Sequence, residues 1–255
     1  MSAPVHFSDL KRMAISPAHY HYGRGQVQRE PTRAMLIGTI VDYELTGGVG
    51  SIEEWAGPRR GKAWQQFQAD NLGKTVVTSD EYQEAMGIVN CARDSPFIYY
   101  LAGRHQTPLR WEMYGFPCAT RGVDVIGDGW ISDLKVTHCA QPERLMRHAR
   151  SMLWHCQLAF YLEGCRQNGI DTRDGAYIVA LESKPPHPMT VLHLNRDCLE
   201  EANRTISAWF ERLRVCTDAD SWPGYTQAVV EMGAWSGDVL LEGLDDELGT
   251  TTRLV

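Results

Sequence analysis

Arg121-Gly122-Val123-Asp124-Val125-Ile126-Gly127-Asp128-Gly129-Trp130-Ile131-Ser132-Asp133-Leu134-Lys135-Val136-Thr137 is the stretch whose reading decides the fold. Val123 to Ile126 and Trp130 to Val136 are rich in β-branched and aromatic residues, and Gly127-Asp128-Gly129 between them offers the positive-φ residues of a tight turn. The pattern predicts a β-hairpin. With Asp128-Gly129 as a two-residue loop, Gly127 faces Trp130, Ile126 faces Ile131, Val125 faces Ser132 and Asp124 faces Asp133. Facing residues share one side of a sheet with Cβ atoms roughly 4.5–5.5 Å apart. Lys135, two residues beyond Asp133, returns to that side. The hairpin is therefore expected to gather Asp124, Asp133 and Lys135 in one place.

Two like charges side by side in a sheet are destabilising unless something compensates them. Lys135 offsets one, and a hard divalent cation would offset the other, because Mg²⁺ favours one or two carboxylates with water and substrate phosphate. The plain alternative is a solvated hairpin edge carrying a surface Asp/Lys pair of little energetic consequence. Against it, Asp133 and Lys135 sit in an otherwise apolar run, Ile131 to Val136, which reads as a buried or half-buried strand.

Asp124 followed by Asp133-Leu134-Lys135 resembles the D-x(n)-(D/E)-x-K signature of the PD-(D/E)xK nuclease superfamily. Within it, the chain resembles the phage RecE-like (exonuclease VIII) exonucleases. The resemblance is carried, in the family's order, by Ser16-Pro17-Ala18-His19-Tyr20, Thr32 to Thr39, Trp111-Glu112, Arg121 to Asp124, Asp133 to Lys135, Gln157 to Tyr161 and Trp222-Pro223-Gly224-Tyr225. It implies an α/β fold with a restriction-endonuclease-like core, a mixed central β-sheet flanked by helices, and an N-terminal helical region. It also implies one nuclease domain over residues 1–235, mainly helical to 105 and built on the sheet from 106, before an acidic tail at 236–255.

The activity implied is metal-dependent 5′-to-3′ exonuclease action on linear double-stranded DNA, leaving 3′ overhangs for strand annealing in phage-type recombination. Mg²⁺, with Mn²⁺ as a substitute, is the implied cofactor. The implied partners are DNA with free ends, further copies of the chain in a ring, and a single-strand annealing protein, in the cytoplasm of a bacterial host. Asp124, Asp133, the Leu134 carbonyl, and Glu112 or Asp42 would hold the ions, while Lys135 orients the attacking water. Glu112 matches the acid of the first core strand, and Gln157 with Tyr161 matches a Q-x-x-x-Y pair at the cleft. At Asp42 the chain departs from the family, whose G-T-x-x-H pattern has a histidine there, although aspartate is a competent ligand for Mg²⁺ or Mn²⁺. Two other readings stay open: an endonuclease of the same superfamily, and a DNA-binding or assembly protein that keeps the fold without cleaving.

Some of these residues have simpler uses. Glu112 could pair with Arg110 or Arg121, Asp42 could be a helix-surface acid, and Tyr161 could be a core tyrosine beside a capping amide. Arg12 and Arg33 belong to a basic N-terminal region, and Arg144, Arg147 and Arg150 form a stripe on a helix. Such groups, together with Arg121, either contact DNA phosphate or are solvated.

The chain's 255 residues suffice for a full core. No signal peptide or membrane-spanning run is expected. Seven cysteines are scattered singly with no C-x-x-C, which argues against a structural zinc site or a disulfide framework. A net charge of −7 disfavours simple nonspecific DNA binding, yet a locally basic groove is compatible with it.

Helices are expected at Asp9 to Ala14, Ala18 to Tyr22, Thr32 to Leu45, Lys62 to Ala69 and, behind a Thr78 to Glu81 capping box, to about Ala92. A short turn of helix follows around Pro96 to Leu101. Strands are expected at Pro108 to Tyr114, Pro117 to Ile126, Trp130 to Val136, Gly175 to Ser183 and Met189 to Leu194. Pro142 opens one long helix to about Cys165, and Asn195 to Cys216 is the last. The Gly-rich acidic tail after Trp235 is expected to be loosely ordered or to dock on a neighbour.

Overall fold

A computed structural model of the chain describes residues 3–24, 31–48 and 50–225. The expected acidic tail and its order lie outside the described residues. Short helices open the chain: α1 (Phe7–Leu10), a 3-10 turn (Lys11–Ala14) and α2 (Pro17–Gly23). The buried hydroxyl of Ser16 caps α2, with Pro17 in its first turn. Thr32 caps α3 (Arg33–Thr46), which ends at Gly47 in the left-handed conformation. The capping box at Thr78 and Glu81 is formed, and it starts α5 (Ser79–Arg93).

Five strands make the main sheet in sequential order: β3 (Arg104–Met113), β4 (Phe116–Ile126), β5 (Trp130–Thr137), β6 (Gly175–Glu182) and β7 (Met189–His193). Only β5 and β6 run parallel, because the chain crosses between them through α6 (Pro142–Ser151) and α7 (Trp154–Gln167). The last helix is α8 (Arg196–Asp218), capped by Asn195. The sheet is a mixed one covered on both faces. On one face, Val123, Ile131 and Ile178 pack with Leu158, Phe160, Trp209 and Phe210 of α7 and α8. On the other, Val125, Leu134 and Val179 pack with Ile40 and Val41 of α3 and Ile88 and Val89 of α5.

Three features differ from the sequence expectations. A two-stranded parallel sheet, β1 (Ile52–Trp55) with β2 (Thr75–Thr78), brackets α4 (Gly61–Asp70). Each strand has four residues, too few for an alternation to stand out. Strand β3 begins before Pro108, and the pairing register shifts between Thr107 and Leu109; an irregularity is where a residue lacking an N–H fits. The expected single helix from Pro142 is two, broken at Leu153, which has φ 60°. Nothing local signals that break, since left-handed leucine is costly and is held by what surrounds it.

Candidate active site

The central hairpin forms in the expected register near its turn. Val125 pairs with Ser132 and Ile126 with Ile131, and the Gly127 N–H donates to the Trp130 carbonyl at 2.9 Å. Backbone pairing of β4 with β5 then stops. Beyond Ser132, β5 pairs along its length with β6, while β4 pairs with β3. The side chain of Asp124 fills the opening, its Oδ2 accepting the Leu134 N–H at 2.9 Å. Asp124 and Asp133 are thus brought together through side chains rather than as a backbone pair.

Asp133 is 2% exposed, in a strand whose neighbours are buried. Its Oδ1 accepts a hydrogen bond from Gln157 Nε2 at 2.9 Å, and that amide also donates to the Tyr161 hydroxyl at 3.2 Å. Its Oδ2 forms an ion pair with the Lys135 ammonium. The Lys135 ammonium lies 5.8 Å from the centroid of the Trp154 ring, within cation–π range. Gln157, Tyr161 and Trp154 all come from α7, so a single helix supplies one wall of the site.

The electrostatics follow from burial and crowding. Burial and the Asp133 charge push the Asp124 carboxyl up to about 8, against the pull of Lys135. Burial opposes the Lys135 ammonium, yet Asp133 and Asp124 outweigh it and raise its pKa. Burial also raises Asp42, partly offset by a Thr46 hydrogen bond and reinforced by Asp133. Tyr161 is raised by burial and by Asp133, with hydrogen bonds from Thr120 and Gln157 working the other way. Carboxylates gathered in poor solvent beside one ammonium leave negative charge uncompensated, the condition a divalent cation relieves.

Asp42 stands at this centre on α3. Thr46 Oγ1 lies 2.6 Å from its Oδ1, and Gln106 Nε2 lies 3.2 Å from Oδ1 and 3.4 Å from Oδ2. Gln106 has φ 44°, a left-handed conformation that costs a non-glycine residue about 1–3 kcal/mol and persists only where its surroundings hold it. Among the described residues, no three carboxylate, imidazole or thiolate side chains form a metal-binding cluster. The donors present fit a cation completed by water and substrate oxygens rather than a full protein cage.

The other expected site residues lie apart or on the surface. Glu112 is exposed on β3 opposite Pro117, and its backbone is tied to Gln167. Asp124 is seven residue steps along β4 from Pro117, about 24 Å of strand, so the structure does not bring Glu112 to the carboxylates. Arg33 is paired with Glu84 and Arg12 with Asp9. Arg121, Arg144 and Arg147 are exposed. Lys11, in the basic N-terminal region expected to meet DNA phosphate, is exposed as a residue, yet desolvation and then the Lys135 charge lower its pKa.

Gln106 and Thr46 are groups that the sequence reading does not find. Both contact Asp42, and a glutamine ahead of a proline-containing strand carries no signal of such a role. A cavity of about 550 Å³, lined by Arg173, Tyr177, His193 and Arg196 among others, contains none of these carboxylates. Chemistry rather than volume marks the site.

The sequence model of a family described as a PDDEXK-like domain of unknown function (DUF3799) matches residues 6–230. No curated protein matches the chain. Among solved structures, the chain is similar to a crystal structure from Eubacterium rectale described as a candidate exonuclease. The TM-score is 0.62 and the identity 18%, over 97% of this chain and 94% of that one, a likeness of fold.

Proposed function

The chain belongs to this PDDEXK-like family, and from that premise we propose that it is a divalent-metal-dependent exonuclease acting on the ends of double-stranded DNA. The observation that carries the reading is Asp133: a carboxylate 2% exposed, ion-paired through Oδ2 with Lys135 and near enough to Asp124 for its charge to push that carboxyl up. A structural ion pair that costly to desolvate usually has its remaining lone pairs satisfied. Here a second carboxylate, Asp124, shares the same ammonium, an excess of negative charge that a divalent cation relieves.

In this reading Asp124 and Asp133 would hold the cation, with Asp42 as a further carboxylate whose pKa the Asp133 charge raises. The Leu134 carbonyl is a further donor: its N–H points to Asp124, and a strand residue's N–H and C=O leave the backbone on the same side. The cation, when bound, lowers the pKa of a coordinated water and offsets charge on the leaving oxygen. Lys135 is the chain's own electrostatic contribution, an ammonium kept protonated by two carboxylates and placed to orient the nucleophile and stabilise negative charge on the phosphoryl oxygens. Gln157 fixes the Asp133 carboxylate and the Tyr161 hydroxyl together. Lys11 adds positive charge for a phosphate, which a chain of net charge −7 needs locally.

The 5′-to-3′ direction and the linear duplex substrate rest on the ordered motifs from Ser16 to Tyr225. The test is digestion of linear duplex labelled at either end, with Mg²⁺, Mn²⁺ or EDTA, beside a covalently closed circle. Metal-dependent release of nucleotides from 5′ ends, with the circle intact, is expected. Cutting of the circle would replace the exonuclease reading by an endonuclease one, and no cleavage of any substrate would refute both.

A further inference from the structure

We propose that Gln106 is a positioning residue for the cation site: its side-chain amide, projected by an irregularity in β3, fixes Asp42 as a carboxylate facing Asp133 and Lys135. The inference deepens the reading above and rests on it, since it takes this site to hold a divalent cation.

Strand register places Gln106 with care. His105 pairs with Val125 and Thr107 with Val123, so Gln106 stands across from Asp124. There its backbone turns left-handed, at φ 44°, and it forms no regular pair. The amide instead reaches α3, where Nε2 lies 3.2 Å from Asp42 Oδ1 and 3.0 Å from Thr46 Oγ1. Thr46, fully buried, contacts the same Asp42 oxygen at 2.6 Å. One amide thus holds both groups of α3 against the strand next to Asp124.

The choice of donor matters. Lysine or arginine at this position would satisfy Asp42 and also neutralise it, competing with a cation. An amide and a hydroxyl satisfy the carboxylate while leaving its charge available. Residue 122 makes room for the arrangement: a Cβ added to Gly122 would come within 3.0 Å of Gln106 Cα and C and 2.7 Å of Oε1. The glycine of Arg121-Gly122-Val123-Asp124 is therefore explained by the close approach of the Gln106 backbone.

The test is Mn²⁺ binding, measured by calorimetry on the full chain, for wild type, Gln106→Gly, Asp42→Asn and the double variant. Glycine suits a positive φ, and that relief offsets the hydrogen bonds lost at Asp42 and Thr46, so the melting temperature of Gln106→Gly in EDTA should stay within a few degrees of wild type. Its Mn²⁺ affinity should fall about 10- to 100-fold, the usual effect of losing a group that orients a ligand. Gln106→Asn, whose residue type also tolerates this backbone but whose amide reaches less far, should weaken binding in the same direction. The double variant should bind no more weakly than Asp42→Asn alone. Wild-type affinity in Gln106→Gly, or losses that add in the double variant, would overturn this inference and leave the cation site standing. A wild-type chain that takes up no Mn²⁺ would overturn both.

Discussion

Replacing Asp124 by asparagine should stabilise the metal-free protein while removing its response to Mg²⁺. Asparagine keeps an oxygen for the Leu134 N–H, which Asp124 now accepts at 2.9 Å, and it removes a carboxylate from beside Asp133. The sign follows from linkage. The Asp124 carboxyl, held up at about 8 by burial and by Asp133 against an ordinary 3.8, keeps its proton in the folded state over a range where the unfolded chain has lost it. Its contribution to stability is therefore fully present below about pH 4 and is lost as pH rises toward 8, at up to about 1.4 kcal/mol per pH unit.

That slope is a ceiling, because the site is partly open to solvent and the effective dielectric of such sites is high. A gain of about 1–3 kcal/mol for Asp124→Asn at pH 8 is expected, or about 2–4 °C in melting temperature per kcal/mol for a chain of this size. The assay is urea denaturation of both proteins in EDTA between pH 5 and 9, repeated in excess Mg²⁺. The two curves should lie closest near pH 5, draw apart steadily as pH rises to about 8 and run parallel beyond it, and Mg²⁺ should stabilise only the wild type. Parallel curves over the whole range would refute the reasoning.

Other outcomes follow from the same contacts. Lys135→Ala leaves Asp133, 2% exposed, without its counter-ion; a loss of about 3–5 kcal/mol is expected by denaturant titration, with cleavage abolished even at temperatures where the variant stays folded. Gln157→Ala removes the donor to Asp133 Oδ1 and should cost about 1–3 kcal/mol, with a larger fall in kcat than Tyr161→Phe causes. Glu112→Ala, altering an exposed side chain some seven residues of strand from the carboxylates, should leave cleavage within about twofold of wild type; a loss comparable to that of Asp133→Ala would show that the acid reaches the site after all.

Much of this site was legible in the sequence because its information is local. Asp-Gly between two apolar runs sets a tight turn, the turn sets the register, and strand alternation then sends Asp133 and Lys135 to the same side as Asp124. Gln157 and Tyr161 were paired by helical spacing and do share a hydrogen bond. The acid at 112 lies beside the turn at Tyr114 and Gly115, which pairs it with Pro117 at the end of β4 remote from Asp124; the motif resemblance, rather than strand register, is what associates it with the carboxylates. Likewise, the break at Leu153 aims Trp154 and Gln157 at the site, and the sequence there reads as an uninterrupted helix.

The sequence by itself determined the hairpin, the composition of its charged centre and the order of the elements around it, since these depend on side-chain periodicity and turn chemistry within a few residues. Only the tertiary structure decided that β4 and β5 part after two pairs, that Asp124 fills the gap at Leu134, and that Gln106 reaches Asp42 across 64 residues of chain. Those contacts exist because distant elements compete for the same backbone and side-chain hydrogen bonds, a contest settled by packing and invisible to any local pattern.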